Sequence, residues 1–389
     1  MVMITIEHNR QQGNRVADPH LRTLDSFDAL REYIGEKDLG LVPCPIQEVF
    51  YTTEWFENLA ECGLAPEVMK QTQCRLLVAS SVSSGQVVCL PLLYGLNLEG
   101  LSNYYSSLFG PIFWGSGTVQ SHAQDWFCDQ YLWDCIGKFI RREQAVCPVV
   151  SFSPMDAQAP FFDRLLAGLK NAGYWVDTFF CFGNWYLDVA GRPFSDYFLT
   201  LPAPLRNSIA RGKRRLTSAG TWNIQIQEAA DGLLEAAIAD FVQVYSSSWK
   251  GPEPNTRFVP NLARMAAAQG WLRLGVLKLD DKAIAAQFWL VKDGKASIFK
   301  LAYVDGVERF SAGSALTSAM MEHVIDVDQV REVDYLTGDD AYKRDWMSRR
   351  RERLGIVAFN PMRIMGIWKA FLHFGSWFVK RARIRTIAI

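Results

Sequence analysis

Between residues 272 and 304, three strand-like runs follow one another through two turns too short for anything but antiparallel pairing. Leu272–Leu279 turns at Asp280-Asp281, Ile284–Val291 turns at Asp293-Gly294, and Ser297–Val304 completes a meander. Tight turns join antiparallel neighbours, whereas a parallel partner needs a crossover of a dozen residues or more. The Asp-Gly pair suits the type I′ turn, whose twist matches that of the strands it joins. The meander runs into RFSAGSALTSAMM, residues 309–321, and then into DYLTGDDAYKRDW, residues 334–346. Each of these reads as a strand end, a glycine turn and a helix. Two neighbouring strands that both feed helix N-termini leave a crevice between them, and ligands sit in such crevices.

The rest of the chain is arranged around this block. With 389 residues it is too long for one ordinary core, and the expectation is two domains. Leu21–Ile34 reads as a helix. Cys74–Ser80 and Val87–Leu93 flank a Ser-Ser-Gly turn as a hairpin, and Asn103–Phe113 reads as an aromatic strand with its loop. Helical patterns cover His122–Arg142 and Pro160–Ala172, with strands at Pro148–Phe152 and Trp175–Val189. Pro202-Ala203-Pro204 breaks the pattern, and Leu205–Ser218 follows as a basic helix stopped at Gly220. Trp222–Gln227 reads as a strand, Leu233–Trp249 and Val259–Gln269 as helices, and Val330–Leu336 as a strand. The divisions that follow are a loose polar arm over 1–20, a first lobe over 21–200, a basic linker helix over 201–220, a second lobe over 221–358 and a tail over 359–389. The fold class is α+β, with two lobes of similar grammar.

Composition excludes several function classes. Net charge is zero, so no whole-chain electrostatic case for nucleic acid arises. All eight cysteines precede residue 182, with no Cys-x-x-Cys pair and no zinc spacing, so reduced thiols and no metal are expected. No secretory signal and no run long enough to cross a bilayer is seen, and a cytoplasmic location is expected.

The stretches WLRLGVLKLDDKAIAAQFWLV, KLAYVDGVERFSAGSAL and DYLTGDDAYKRDWMSRRRERLG carry a resemblance. Residues 216–358 resemble the GNAT acetyltransferase domain of the CelD/BcsL type, associated with bacterial cellulose and exopolysaccharide biosynthesis. FYTTEWFENL and LSNYYSSLFGPI in the first half resemble the degenerate lobe of FemAB-like tandem GNAT proteins. The resemblance implies two tandem GNAT-like lobes, each a mixed, mostly antiparallel sheet flanked by helices. It also implies acyl transfer, with acetyl-coenzyme A as donor, to an amine such as an amino sugar of the cell envelope.

Gly313, Ser314 and Ala315 open the helix where backbone N–H groups and the helix dipole favour phosphate, with Ser311 and Arg309 as further donors. Gly313 and Ala315 fit the last positions of the GNAT phosphate-loop pattern. Phe310 stands where that pattern has Arg or Gln, and Arg309 is one place early. Amine acylation needs a polarised thioester carbonyl, a base for the amine proton and an acid for the thiolate. Tyr342 matches the place of the GNAT acid; its other reading is a packing tyrosine. Asp339, then Asp340 and Glu322, are candidates for the base, although acids at a helix start also serve as caps. Gln287 and Lys300 lie on meander strands, facing either the acceptor or solvent, and Trp249 and Lys343 complete the expected substrate contacts. His323 belongs to no Ser–His–Asp set.

Two features lie outside this set. Arg206, Arg211, Lys213, Arg214 and Arg215 form a basic stripe that suits a solvated face, coenzyme A phosphates or RNA. The RNA option keeps open a FemAB-like transfer from aminoacyl-tRNA; a third reading is an inactive GNAT scaffold of a polysaccharide machine. In the tail, Ile364, Ile367, Trp368, Phe371, Phe374 and Phe378 repeat at helical spacing before a basic end. This pattern fits either a helix packed on the body or one lying peripherally at the inner face of a membrane.

Overall fold

The computed structural model describes residues 19–36, 41–44, 48–81, 85–116, 129–250 and 253–387, with side chains to 375. The arm expected over 1–20 lies, but for its last two residues, outside the described residues, as does the start of the helix expected from His122.

The first half comprises β1 (His20–Leu24), α1 (Phe27–Glu36), β2 (Leu41–Pro43), α2 (Thr53–Asn58), α3 (Pro66–Gln71), β3 (Gln73–Ser80), β4 (Val87–Tyr94), β5 (Leu98–Gly100), β6 (Ile112–Ser116), α4 (Gln130–Glu143), β7 (Val149–Asp156), α5 (Pro160–Asn171) and β8 (Trp175–Asp188). The second half comprises α6 (Phe194–Thr200), α7 (Ala203–Ala219), β9 (Trp222–Gln227), α8 (Leu234–Ser246), α9 (Phe258–Ala268), β10 (Leu272–Leu279), β11 (Lys282–Lys292), β12 (Lys295–Tyr303), α10 (Ala312–Glu322), β13 (Glu332–Asp334), α11 (Ala341–Trp346), β14 (Arg349–Phe359) and α12 (Ile364–Ile387).

The α+β class is observed. All described strands join one 14-stranded sheet, ordered β1-β3-β4-β5-β7-β14-β8-β13-β12-β11-β10-β9, with β2 and β6 attached at the side. Pairing is antiparallel except at β12–β13 and β5–β7. Asp280, Asp281, Asp293 and Gly294 all have positive φ, as the tight turns of the meander require. Leu21–Ile34 is not one helix: its start is β1, paired with β3 from His20↔Ser80 to Leu24↔Leu76. A five-residue stretch carries too little periodicity to choose, and the open edge of β3 decides.

The halves interleave. β14 lies between β7 and β8, and β8 in turn lies between β14 and β13. Where they meet, a buried ion network replaces apolar packing. Asp334, fully buried, takes Lys295 Nζ at 3.0 Å, Arg351 Nη2 at 2.6 Å and Arg353 Nη2 at 3.5 Å. Its other oxygen accepts from Asn184 at 2.6 Å and from the Leu336 amide at 2.7 Å. Burial opposes the charge, but the three cations hold the Asp334 carboxyl far below its ordinary value.

Alternation along β11 separates two cores. Ala286, Phe288 and Leu290 join the cluster that holds α8 and α9, whereas Ala285 and Trp289 join the one that holds α7 and α10. Thus α7 is a packed element, not a free connector. Among the described residues, no helix is long and apolar enough to cross a membrane.

Candidate active site

β12 and β13 run side by side for three residues only, Lys295↔Glu332 to Ser297↔Asp334. Beyond Ser297 they part, and a cleft of about 710 Å³ opens between them. Its floor is the Ile298–Leu301 stretch of β12. The register against β11 shifts between Phe288 and Trp289, so Phe299 is an extra residue on the floor. A bulge of this kind, beside an edge without a strand partner, leaves backbone N–H groups available to a ligand.

Both strand-to-helix junctions face this space. Each contains a non-glycine residue in the left-handed region, Ser311 at φ 48° and Leu336 at φ 55°. Such residues persist where surrounding structure forces them, and they cluster at ligand sites. At the first junction, Gly313 and Ser314 line the cleft. A Cβ on Gly313 would stand 3.2 Å from the Tyr303 ring. Gln287 fixes this turn: its Nε2 donates to the Gly313 carbonyl at 3.1 Å and to Thr317 Oγ1 at 2.7 Å, while its Oε1 accepts from Trp289 Nε1 at 2.9 Å. Gln287 borders the cleft, and with its amide engaged on both sides it positions the turn.

At the second junction, Tyr342 lines the cleft, edge-on to the buried Tyr335 at 5.7 Å and 46% exposed. Partial burial, then the charge of Asp340, push its phenol up to about 12. It therefore stays protonated at neutral pH. Lys343 also borders the cleft, but its Nζ is turned back to Asp340 Oδ2 at 3.2 Å and to the Thr337 and Gly338 carbonyls, and so staples the turn. Burial lowers its pKa, against the pull of Asp340.

Lys300 reaches the cleft inside an aromatic box. Its Nζ lies 5.0 Å from the Tyr105 ring, 4.8 Å from Tyr245 and 5.4 Å from Tyr104. Glu253 Oε1 meets it at 2.5 Å. Desolvation, then the Glu253 charge, raise the phenols of Tyr105 and Tyr245. Trp249, half-exposed, packs on Tyr303 at 4.5 Å and forms one wall. Lys250 stands beside it, its pKa lowered to about 8 by burial and then by Lys300 and Lys343.

Asp339 is not among the residues that line the cleft. It pairs with Arg350 at 2.8 Å and accepts from Trp185 Nε1 at 2.7 Å, and the hydrogen bond from Arg350 holds its pKa low. Asp340 does line the cleft, whereas Glu322 is exposed elsewhere on α10. Arg309, Ser311 and Ala315 are also outside the lining. Ala315 is fully buried in the core. Ser311 Oγ is 3.0 Å from Ser208 Oγ, and the Arg309 carbonyl accepts from Arg215 Nη1 at 2.7 Å. Both contacts come from α7, which brings the basic stripe against the turn. Phe310 is a core residue.

Sequence reading missed the contribution of the first half. Tyr104, Tyr105 and Ser107 line the cleft, and Ser107 Oγ lies 3.1 Å from Thr337 Oγ1. The aromatic stretch around them was visible, but nothing local tied it to residues two hundred positions away. His323 Nε2 lies 2.9 Å from Glu228 Oε1 and near Asp328. Arg273 ion-pairs the same Asp328 at 2.5 Å, so one of the two carboxylates already has a cation partner.

Residues 203–344 match the family model described as an acetyltransferase (GNAT) domain. The chain is similar in structure to FemX, at 9% identity over 87% of this chain and 98% of that one, with a TM-score of 0.54. It is also similar to a conserved protein of unknown function from Bacteroides thetaiotaomicron VPI-5482, at 12% identity over 87% and 100% of the two chains, with a TM-score of 0.51. A tandem GNAT protein from the clavulanic acid biosynthesis pathway aligns at 13% identity over 82% and 98%, with a TM-score of 0.41. At such identities the likeness concerns the fold alone. No curated protein matches the chain at a significant level.

Proposed function

We propose that this chain, which carries a GNAT acetyltransferase domain over residues 203–344, transfers an acyl group from acyl-coenzyme A to an amine in the cleft between β12 and β13. The observation that carries this reading is the parting of those strands over the N-terminus of α10, with Tyr342 on the opposite lip. The phosphates of the donor fit the Gly313–Ser314 amides and the neighbouring cations of α7. The amide-bearing arm of the donor fits the free edge of β12 as an added strand would. A backbone N–H at the Phe299 bulge then faces the thioester carbonyl as it becomes an oxyanion.

In the reaction the amine nitrogen bonds to the acyl carbon and the carbon–sulfur bond breaks. The amine proton goes to Asp340, directly or through water, and the Tyr342 hydroxyl gives its proton to the departing thiolate. The box of Tyr104, Tyr105, Tyr245 and Lys300 lies on the acceptor side. An amino sugar of a cell-surface polysaccharide, and the CelD/BcsL type, rest on the sequence resemblance.

The test is isothermal titration of the full chain with acetyl-coenzyme A. Saturable binding at one site is expected, and Gly313→Trp, whose ring has nowhere to go beside Tyr303, abolishes it. Absence of binding by the unaltered chain overturns the reading. A second reading, transfer from aminoacyl-tRNA, is favoured by the basic face of α7 beside the turn. Salt-sensitive tRNA binding without coenzyme A binding selects it.

A further inference from the structure

The tail helix α12 is held to the body by one face only. Ala370 is buried on the sheet beside Val149, Val357 and Phe359. His373 Nε2 meets Asp177 at 2.8 Å, and Lys369 Nζ meets Asn97 at 3.0 Å. Gly366 allows the close approach, since a Cβ there would stand 2.2 Å from the Asn360 carbonyl oxygen. The opposite face carries Ile364, Met365, Trp368, Phe371 and Leu372, exposed by 86, 54, 54, 68 and 52%. Steps of three and four residues put them on one stripe.

Tertiary structure widens this stripe. Trp175, 48% exposed, is the cross-strand partner of Phe359 and so shares the side of the sheet that α12 covers. Val146 and Leu96, 72 and 77% exposed, neighbour Ala145 and Asn97, which contact Arg363 and Lys369 of the tail. Apolar side chains from two loops and from the start of β8 thus lie around one helix, and exposed apolar groups gathered in this way mark an interaction surface.

Charge identifies the occupant. After Glu352 the chain has no acidic residue, while Arg363, Lys369, Lys380, Arg381, Arg383 and Arg385 are all basic. Two copies of a segment with six cations and no acid of its own would repel one another. An anionic lipid surface complements a segment of this charge and accepts the exposed Trp, Phe and Leu side chains at the acyl boundary. We infer that the α12 face docks the protein in the plane of an anionic membrane, as a peripheral contact independent of the cleft chemistry.

Co-sedimentation of the full chain with phosphatidylcholine vesicles, with and without phosphatidylglycerol, tests this. Binding to the phosphatidylglycerol vesicles that weakens as salt rises is expected, with little binding to phosphatidylcholine alone. The double variant Trp368→Ser, Phe371→Ser, whose substituted side chains are exposed, should keep the far-UV spectrum and thermal midpoint while losing binding by about tenfold to hundredfold. Arg381→Gln with Arg383→Gln should lower it by about tenfold. The inference is overturned if the full chain stays in the supernatant with both vesicles, or if the double variant binds as well as the parent. A dimer in light scattering that the double variant dissociates, without vesicle binding by the parent, overturns it in favour of a second copy.

Discussion

Tyr342 and Gly313 lie on different strand-to-helix junctions, which hold the left-handed residues Leu336 and Ser311, and the Gly313 carbonyl is pinned by the buried Gln287 amide. At the scale of single residues, the turn chemistry around them was legible because glycine between a strand and an amphipathic run leaves few alternatives. What a side chain does once there was not. Gln287 and Lys343 read as substrate ligands because both are polar, yet the Gln287 amide engages the Gly313 carbonyl, Thr317 and Trp289, and the Lys343 ammonium engages Asp340 and the Thr337 and Gly338 carbonyls. Asp339 and Asp340 are adjacent and chemically alike, and only the direction of the chain at the turn sends one to Arg350 and the other to the cleft. The phenol of Tyr342, raised to about 12, suits a proton donor. Tyr342→Phe should lower kcat by about 10²–10³-fold with little change in thermal midpoint, measured by steady-state acyl transfer with release of free thiol. An unchanged kcat removes the acid role.

Among elements, α7 and α10 show how a local signal can be right while its setting stays hidden. The 17-residue helix α7 follows from its own composition, bounded by prolines and Gly220. That it crosses the turn before α10 follows from Gly212, where a Cβ would stand 2.3 Å from the Phe310 carbonyl oxygen. Replacing a helical glycine by alanine ordinarily adds helix propensity of about 1 kcal/mol. Gly212→Ala should instead destabilise by about 1–3 kcal/mol, because the methyl group meets backbone that cannot swing aside. Gly375→Ala, with nothing within 4 Å of its Cβ, should not destabilise. Urea midpoints of the two variants decide this, and a stabilised Gly212→Ala would show that α7 does not bear on the turn. At the other extreme, β13 is only three residues long, too short to carry a period, and its place is set by β12 and β8.

At the scale of the whole molecule, each half completes the sheet of the other. A fragment of residues 203–389 retains the matched domain but lacks β8, leaving β13 and β14 with open edges. Expressed alone, it should aggregate or fail to show cooperative unfolding, whereas the full chain unfolds cooperatively; a stable monomeric fragment would mean that the interleaved strands are dispensable. The Asp334 network sits at the same seam. Breaking it with Asp334→Asn should destabilise by about 3–5 kcal/mol near neutral pH, since three buried cations lose their shared carboxylate. The folded pKa lies below the unfolded value of about 3.9, so this stabilisation is complete above about pH 5 and is lost as pH falls toward the folded pKa. The gap between parent and variant in urea titrations should therefore narrow from about pH 5 down to pH 3. A gap independent of pH would mean that the carboxylate charge is not what the network uses.

The sequence by itself determined the meander, its tight turns, the two glycine junctions and the amphipathic character of the tail. All of these arise from backbone preferences and periodicities spanning a few residues. Tertiary structure alone decided that β14 and β8 interleave, that Tyr104 and Tyr105 wall the cleft, that Asp339 turns away from it, and which face of α12 stays bare. Those outcomes depend on pairing and burial between residues far apart in the chain, and a one-dimensional pattern holds no distances.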